Sequence, residues 1–415
     1  MIASYAVHTG GNLPAVLGIP VEFILFALTL VGVAVFHRNT LQVALAGLAA
    51  IVVYKLGFTG FKAGPGLSGF AAHMAHEWVI LTNLLCLLVG FALLSDHFEK
   101  SRVPAVLPRF LPDDWKGCFS LLAIVFILSG FLDNIAGALI GGTIAASVFK
   151  RRVHLGYLAA IVAAANAGGA GSVVGDTTTT MMWLSGVSPL KVIDAYVAAT
   201  VALVVCGIPA ALQQQRYAPI IKDEGPHARV DWARIAIVAL ILVAAIAANV
   251  AVNLQFRELI GSFPAIGAAV WAVLITCAPW RRPAWVLVPE AFKGSVFLLA
   301  LVTCASLMPV ETLPIASWQS SLSLGFISSV FDNIPLTALA LKQGGYDWGI
   351  LAFAVGFGGS MTWFGSTAGV AVSNMYPEAK SVGLWLRHGW HIGVAYTVGF
   401  LVMLGLLGWH PDAAK

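Results

Sequence analysis

The sequence predicts an all-α protein that crosses a membrane many times, and three observations support this fold class. The chain has 415 residues, of which 59% are hydrophobic and only 10% are charged, whereas soluble domains carry about 25% charged residues. Apolar runs of about 17 to 25 residues, the length that spans a bilayer, recur throughout the chain. A similar polar phrase containing an Asp-Asn pair interrupts an apolar stretch once in each half.

Ten of the apolar runs are predicted to cross the membrane. Two further stretches, 117–149 and 315–341, are interrupted in the middle by Asp133-Asn134 and Asp332-Asn333. Each limb of the first stretch has about 16 residues, or ~24 Å of helix, which is shorter than the ~30 Å hydrocarbon core. We therefore predict two re-entrant hairpins in addition to the ten spans, which cover 18–36, 41–59, 79–95, 155–183, 192–212, 235–252, 263–278, 292–310, 349–374 and 390–408.

The distribution of basic residues predicts the orientation. With both hairpins re-entrant, 17 of the 23 Lys and Arg residues fall in loops on one side and five on the other. By the positive-inside rule the richer side is cytoplasmic, which leaves both termini on the non-cytoplasmic side. We therefore expect an integral protein of a bacterial-type cytoplasmic (inner) membrane. The loops predicted to be cytoplasmic are 37–40, 96–116, 150–154, 213–234, 279–293 and 376–388.

The same orientation divides the chain into two halves of one plan. Residues 1–212 and 232–415 each contain three spans, a hairpin, a glycine-interrupted helix and a final span, and the linker 213–231 joins them. The first hairpin enters from the cytoplasm and the second from the outer face. This arrangement is an inverted-topology repeat, as found in many secondary transporters. The broken helices are predicted at 155–183 and 349–374.

Composition also excludes several classes of protein. The net charge of +4 arises from short loops and reflects membrane topology, so nucleic acid is not an expected partner. Five single cysteines lack the spacing of a metal site or a disulfide framework. The first 17 residues carry no Lys or Arg, so a cleavable secretory signal is not expected. We expect no cofactor and no enzymatic activity, and the lipid bilayer is the expected surrounding.

The two Asp-Asn pairs are the first candidate ligands. Asp133 and Asp332 offer carboxylate oxygens to a hard cation, while Asn134 and Asn333 each offer an amide oxygen and two N–H donors. An alternative is that these residues only cap the returning helix. Ion binding is favoured because an ionisable residue at the middle of the membrane costs at least ~2.5 kcal/mol, which a Ser cap would avoid.

Two glycine-rich segments are the second candidates. The segment 163–180 contains Asn166, Asp176 and a run of four Thr residues, and its composition predicts unwinding in mid-membrane that turns these groups toward the hairpin tip. The segment 356–369 repeats the layout, with Ser366 in the place of the carboxylate. Close packing through small residues is the alternative, but it does not explain the Asp.

The two predicted sites are therefore unequal. The first has two carboxylates, Asp133 and Asp176, and the second has only Asp332. Neither motif contains the Arg or Lys that an oxyanion would usually require. The residues favour a cation as the bound species.

Several of these segments carry a family resemblance. Ala164-Ala165-Asn166-Ala167-Gly168-Gly169-Ala170, Gly175-Asp176-Thr177-Thr178-Thr179, Asp332-Asn333-Ile334-Pro335 and the stretch from Gly358 to Ala371 resemble the NhaD-type sodium/proton antiporters of the ion transporter superfamily. The resemblance extends through both halves. It implies a homodimer, two re-entrant hairpins, and a transport domain that moves past a scaffold like an elevator.

The resemblance also implies two cation sites, each between a hairpin tip and the neighbouring unwound helix. Transported sodium or lithium would be held by the carboxylates of Asp133, Asp176 and Asp332 and exchanged for protons. Residue by residue, the first site would comprise Asp133, Asn134, Asn166, Asp176 and Thr177, and the second Asp332, Asn333, Ser360, Ser366 and Thr367.

Two other functions are compatible with parts of the sequence. An organic-anion carrier for citrate or a dicarboxylate, or an arsenite-type carrier, could use the same scaffold. An intramembrane aspartyl protease would also place aspartates inside the membrane, but it requires Tyr-Asp and Gly-x-Gly-Asp motifs. Asp176 follows Val173-Val174-Gly175 instead, and a protease dyad gives no reason for the repeat.

Overall fold

The computed structural model describes residues 14–16, 18–36, 39–221, 229–259 and 261–412. The predicted locations of both chain termini and residues 222–228 of the linker 213–231 lie outside these residues. The same holds for three basic residues counted in the predicted topology, namely Arg38, Lys222 and Lys415.

The described part of the chain is almost entirely helical. Two strands of two residues each, β1 (Ala15–Val16) and β2 (Ile19–Pro20), pair antiparallel before the first helix. A π-helical turn, Lys55–Thr59, follows the second helix. The α-helices are α1 (Val21–Val35), α2 (Thr40–Tyr54), α3 (Gly66–Lys100), α4 (Val103–Val106), α5 (Trp115–Ser129), α6 (Asn134–Val148), α7 (Leu155–Ala170), α8 (Thr177–Leu184), α9 (Pro189–Ile193), α10 (Ala195–Tyr217), α11 (Trp232–Leu254), α12 (Ala265–Cys277), α13 (Val288–Ser306), α14 (Trp318–Ser328), α15 (Asn333–Gln343), α16 (Trp348–Gly358), α17 (Thr367–Met375), α18 (Val382–His388) and α19 (Trp390–Leu407).

Six helical segments within the described residues are long and apolar enough to cross a membrane. They coincide with six of the ten predicted spans and agree with an all-α membrane protein. Of the other four predicted spans, two coincide with single helices, α1 and the 13-residue α12, and two with interrupted helices. The six segments are Thr40–Thr59, Gly66–Val106, Pro189–Tyr217, Trp232–Val252, Trp285–Ser306 and Trp390–Leu407.

The two stretches that contain Asp-Asn each form a pair of contacting helices, α5 with α6 and α14 with α15. In both pairs the returning helix begins directly after the Asp, which occupies the N-cap position. The boundary of the predicted linker differs in one respect. Helix α10 continues to Tyr217, so residues 213–217 are helical, and Pro209 is accommodated inside the helix.

The two glycine-rich segments interrupt their helices. Helix α7 ends at Ala170 and α8 begins at Thr177, so backbone carbonyls between them lack helical partners. Thr179 Oγ1 donates to the Ser172 carbonyl at 2.6 Å and Thr180 Oγ1 to the Val173 carbonyl at 2.9 Å. These two hydroxyls therefore satisfy carbonyls of the interrupted backbone.

The second interruption is stabilised in a related way. Helix α16 ends at Gly358, a 3₁₀ turn covers Gly359–Met361, and α17 begins at Thr367. Thr362 Oγ1 accepts a hydrogen bond from the Gly365 N–H at 3.1 Å and donates to the Ser329 carbonyl. The interrupted segment is thereby tied to the end of α14.

Two glycines allow helices α5 and α14 to approach the interrupted helices closely. A Cβ at Gly168 of α7 would lie 2.0 Å from the Phe126 carbonyl oxygen of α5, and a Cβ at Gly358 of α16 would lie 2.2 Å from the Gly325 carbonyl oxygen of α14. Both distances are far below van der Waals contact. Small residues of this kind permit close helix packing within membrane bundles.

The central layer of the protein is built on α10 and α19. These two helices pack against each other, α10 also packs on α5, α7 and α16, and α19 packs on α16. Helices from the two halves of the chain also contact each other here, α6 with α17 and α8 with α15. Helices α1, α2, α3 and α13 contribute to a second buried apolar cluster beside this layer. Residues from both halves therefore face one another where the helices are interrupted.

Replacing Gly168 by Ala tests the close approach of α7 to α5. Overpacking of this kind destabilises by about 1–3 kcal/mol, and contact with a backbone carbonyl predicts a value at the upper end. We expect Gly168→Ala to melt at a lower temperature than wild type in detergent. Gly405→Ala is the control, since a Cβ at Gly405 of α19 meets nothing within 4 Å. Equal melting temperatures for Gly168→Ala and wild type would contradict the packing.

Candidate ion-binding site

Eight of the ten predicted site residues lie at the starts of four helices, while Asn166 lies inside α7 and Ser360 in the 3₁₀ turn after α16. Asp133, Asp176 and Asp332 are the N-cap residues of α6, α8 and α15, and Ser366 is that of α17. A helix N-terminus carries a partial positive charge from its unpaired N–H groups. Negative side chains are therefore stabilised at these positions without a Lys or Arg beside them.

One hydrogen-bonded network joins three of these helix starts. The buried Asn134 amide donates to Asn166 Oδ1 at 3.0 Å and to Asp176 Oδ2 at 3.1 Å. The fully buried Asn166 amide donates in turn to Ser360 Oγ at 2.9 Å and to Ser366 Oγ at 3.1 Å. The carbonyl oxygen and both N–H groups of the Asn166 amide thus form hydrogen bonds with partners from three other segments.

The network differs from the two separate sites predicted from the sequence. Asn166 was assigned to the first site, and Ser360 and Ser366 to the second, yet the structure joins the two sets directly. The physical reason is that α7 packs against α16 and α17, so its polar residue faces both interruptions. The candidate site is therefore one continuous polar centre that draws on both halves of the chain.

Asp133 and Thr177 lie at the edge of this centre. As the N-cap residue of α6, Asp133 makes no side-chain capping hydrogen bond, and its carboxylate borders open space. A cavity of only about 20 Å³ lies between Asp133, Asp176, Thr177 and Thr180 on one side and apolar residues of α3 on the other. A cavity needs about 10–15 Å³ to hold one water molecule. This cavity therefore has room for one water molecule or one small dehydrated ion.

Asp176 is oriented by its own helix. Its Oδ1 accepts a hydrogen bond from the Thr178 N–H at 3.0 Å, while Oδ2 accepts from Asn134. The side chain is only 2% exposed. A buried carboxylate with two hydrogen bonds and no basic partner retains acceptor capacity for a cation or can take up a proton.

The residues of the second predicted set are less closely associated. Asp332 Oδ1 accepts from the Ile334 N–H at 3.0 Å, so it caps α15 as the alternative interpretation proposed. Asn333 is 2% exposed and its Nδ2 has no hydrogen-bond partner. Thr367 is half-buried and borders a larger cavity together with Asp133 and Thr177.

Two larger cavities flank the small one along α3. A cavity of about 570 Å³ is bordered by α3 residues between Leu88 and Glu99 and reaches Asp133. A second, of about 430 Å³, is bordered by α3 residues between Ala75 and Asn83 and contains none of the predicted site residues. The small cavity lies between them along the helix, beside Leu84, Leu87, Leu88 and Phe91.

Sequence reasoning missed the residues that support the site from outside. The indole N–H of Trp385 in α18 donates to the Ser360 carbonyl at 3.1 Å, and the Tyr196 hydroxyl donates to the Gly168 carbonyl at 3.1 Å. One available signal was that Tyr196 and Tyr396 occupy similar positions near the start of the final predicted span of each half. Both hydroxyls bind backbone carbonyls of the hairpin or interrupted segments.

The described residues contain no group of three or more His, Cys, Asp or Glu side chains that could hold a metal ion. Any cation at this centre would therefore depend on amide, hydroxyl and backbone oxygens in addition to the carboxylates. Such oxygen donors suit hard cations.

A double-mutant cycle tests the link that Asn166 makes between the halves. Asn166→Ala removes the hydrogen-bond partner of buried groups on Asn134, Ser360 and Ser366 and should destabilise by about 1–3 kcal/mol. Combined with Ser360→Ala, it should show a coupling of roughly 0.5–1.5 kcal/mol, because the two changes remove the same hydrogen bond. Thermal unfolding in detergent provides the measurement. Asn39→Ala, at an exposed residue outside the site, is the control, and strictly additive effects would exclude the link.

Comparison with known proteins gives a distant relationship. No protein-family model matches the chain. It is 27% identical over 322 residues to "Sodium/proton antiporter 1" of Arabidopsis thaliana, an alignment that covers 69% of this chain and 53% of that protein. It is also 27% identical over 323 residues to "Sodium/proton antiporter 2" of the same plant, covering 69% of this chain and 73% of the relative.

The aligned region thus spans about half the length of the first relative. Together with the apolar helices, these similarities support an integral membrane protein.

Proposed function

We propose that the protein is a secondary active transporter that exchanges sodium or lithium for protons across the cytoplasmic membrane. The observation that carries this proposal is the cavity of about 20 Å³ between Asp133 and Asp176. This cavity has room for one small ion beside two carboxylates, and it lies where several helices begin. The two similar proteins of Arabidopsis thaliana, both named sodium/proton antiporters, support the same conclusion.

Competition between cation and proton supplies the coupling. A carboxylate that takes up a proton loses its charge and most of its strength as a ligand, so the two species exclude each other. Asp133 and Asp176 together could release more than one proton for each cation bound. Asn134 donates a hydrogen bond to Asp176, Asn166 holds Asn134 in place, and Thr177 borders the small cavity beside both carboxylates. Asp332, Asn333, Ser360, Ser366 and Thr367 complete the proposed site on the other side.

In this proposal the chain crosses the membrane ten times and forms two re-entrant hairpins. Residues 1–212 and 232–415 are inverted repeats, with hairpin 117–149 entering from the cytoplasm and 315–341 from the outside. The crossing contacts between α6 and α17 and between α8 and α15 support a twofold relation. A homodimer and an elevator-like movement of the hairpins and interrupted helices past α3 and its neighbours complete the proposal.

The positions of the two larger cavities relative to Asp133 support a cytoplasm-facing state. The cavity that reaches Asp133 extends along α3 toward Glu99, beside the predicted cytoplasmic loop 96–116. The cavity on the opposite side ends before the site. Alternating access then requires the polar centre to move along α3 toward the residues between Ala75 and Asn83.

An anion carrier is the alternative function. An anionic substrate would usually be met by Arg or Lys, but the described residues of the network and of the two cavities that touch Asp133 include neither. Uptake of citrate, a dicarboxylate or arsenite without cation-dependent proton movement would nevertheless favour that alternative over exchange.

Proton flux in everted membrane vesicles tests the proposal. Vesicles from a host without its own sodium/proton exchange are energised, and sodium or lithium chloride is added while a dye reports the internal pH. We expect wild type to release protons from the vesicles. Asp133→Asn and Asp176→Asn should each lower the flux by on the order of 100-fold, because they remove a charged ligand.

The matched control for these variants is Asp194→Asn, which changes an exposed aspartate outside the site and should leave the flux unchanged at equal protein abundance. Absence of cation-dependent flux in wild type, or full flux in both site variants, would disprove the proposed mechanism.

A further inference from the structure

The cavity of about 570 Å³ beside Asp133 is far larger than an alkali cation requires. Its volume is more than 25 times that of the small cavity of about 20 Å³ between Asp133 and Asp176. Residues of α3, α6, α13 and α17 surround it, and it reaches Asp133, Thr177 and Thr367 at its inner end. A cavity of this size lies within the range of about 300–1,000 Å³ typical of sites for small organic molecules.

The walls of this cavity are mainly apolar. Leu88 of α3, Ile135 and Leu139 of α6 and Phe297 and Leu298 of α13 all border it. Apolar walls give no favourable coordination to a metal ion, but they stabilise a ligand that has a hydrocarbon body. Shape and surface therefore indicate a ligand larger and less polar than sodium.

The charged residues that border the cavity are all negative. Asp96, Glu99 and Asp133 line it, and its lining includes no Lys or Arg. Asp96 is already paired with Lys100 at 2.8 Å, so Glu99 near the wide end and Asp133 at the inner end set the sign of the field. This charge favours a cation and disfavours an anion of the same size.

We propose that this cavity binds lipophilic organic monocations of the alkylguanidinium or alkylammonium class. The charged head group would be held at Asp133, beside the hydroxyls of Thr177 and Thr367, and the alkyl chain would lie against the apolar walls. Binding of this kind goes beyond ion exchange, because it needs the cavity and the carboxylate but no transport. It also predicts that such cations block access of sodium from the cytoplasmic side.

Titration calorimetry with the purified protein tests binding directly. The probes are the n-alkylguanidinium ions from propyl to hexyl, with n-hexylurea as the uncharged counterpart. Affinity should increase about fourfold with each methylene group, as expected for burial of hydrocarbon. Hexylurea should bind at least tenfold more weakly than hexylguanidinium, because it lacks the charge that Asp133 recognises.

Two variants locate the site. Gly294 of α13 borders the cavity, and a Cβ placed there would meet nothing within 4 Å, so Gly294→Phe should fill part of the cavity without disturbing the backbone. Affinity for hexylguanidinium should fall at least tenfold in this variant. Gly405→Phe in α19 is the control, because that position is equally uncrowded but lies outside the cavity, and it should bind like wild type.

Three results would overturn the inference. Equal affinities for hexylurea and hexylguanidinium would show an apolar crevice that accepts any hydrocarbon, including a lipid tail. Unchanged affinity in Gly294→Phe would place the ligand elsewhere, and no measurable binding would exclude the site. If the organic cations bind as expected while vesicles show no sodium-dependent proton flux, the proposed exchange fails and this inference stands. If vesicles show the flux but the organic cations do not bind, this inference fails and the proposed exchange stands.

Discussion

The arrangement of the polar centre depends on the hydrogen bonds of one side chain, the amide of Asn166. This amide is fully buried, and burying an unpaired amide is costly, so its partners must be in place whenever the surrounding helices are packed. Those partners come from helix α6 on one side and from the interrupted segment near α17 on the other. Asn166 therefore joins polar groups of both halves of the chain, beside the helix packing between them.

That constraint determines how the carboxylates are presented. Asn134 is fixed by Asn166 and Asp176 together, which keeps the tip of α6 next to the start of α8. Asp133, one residue earlier, is thereby positioned at the small cavity. Its side chain makes no capping hydrogen bond to α6. Thr179 and Thr180 satisfy carbonyls of the interrupted backbone, while Asp176 Oδ1 caps the start of α8 and leaves its Oδ2 to Asn134.

Local features of the structure followed from the sequence, but long-range contacts did not. Polar residues within apolar runs marked the breaks at Asp133 and Asp332, because only a helix end or a ligand tolerates them there. Whether a hydroxyl binds a backbone carbonyl depends on atomic geometry, so the hydrogen bonds of Thr179 and Thr180 to the interrupted backbone could not be predicted. The contact of Asn166 with Ser360 joins segments far apart in sequence, and no periodic pattern reports such a pairing.

In the proposed exchange, a cation and protons compete for the same carboxylates, Asp133 and Asp176. Proton release from the purified protein tests this competition in weakly buffered detergent solution when sodium chloride is added, with choline chloride at equal concentration as the reference. We expect a sodium-specific, saturable release of protons that disappears when both aspartates are replaced by Asn. Sodium binding without proton release, or a release that persists in the double variant, would contradict it.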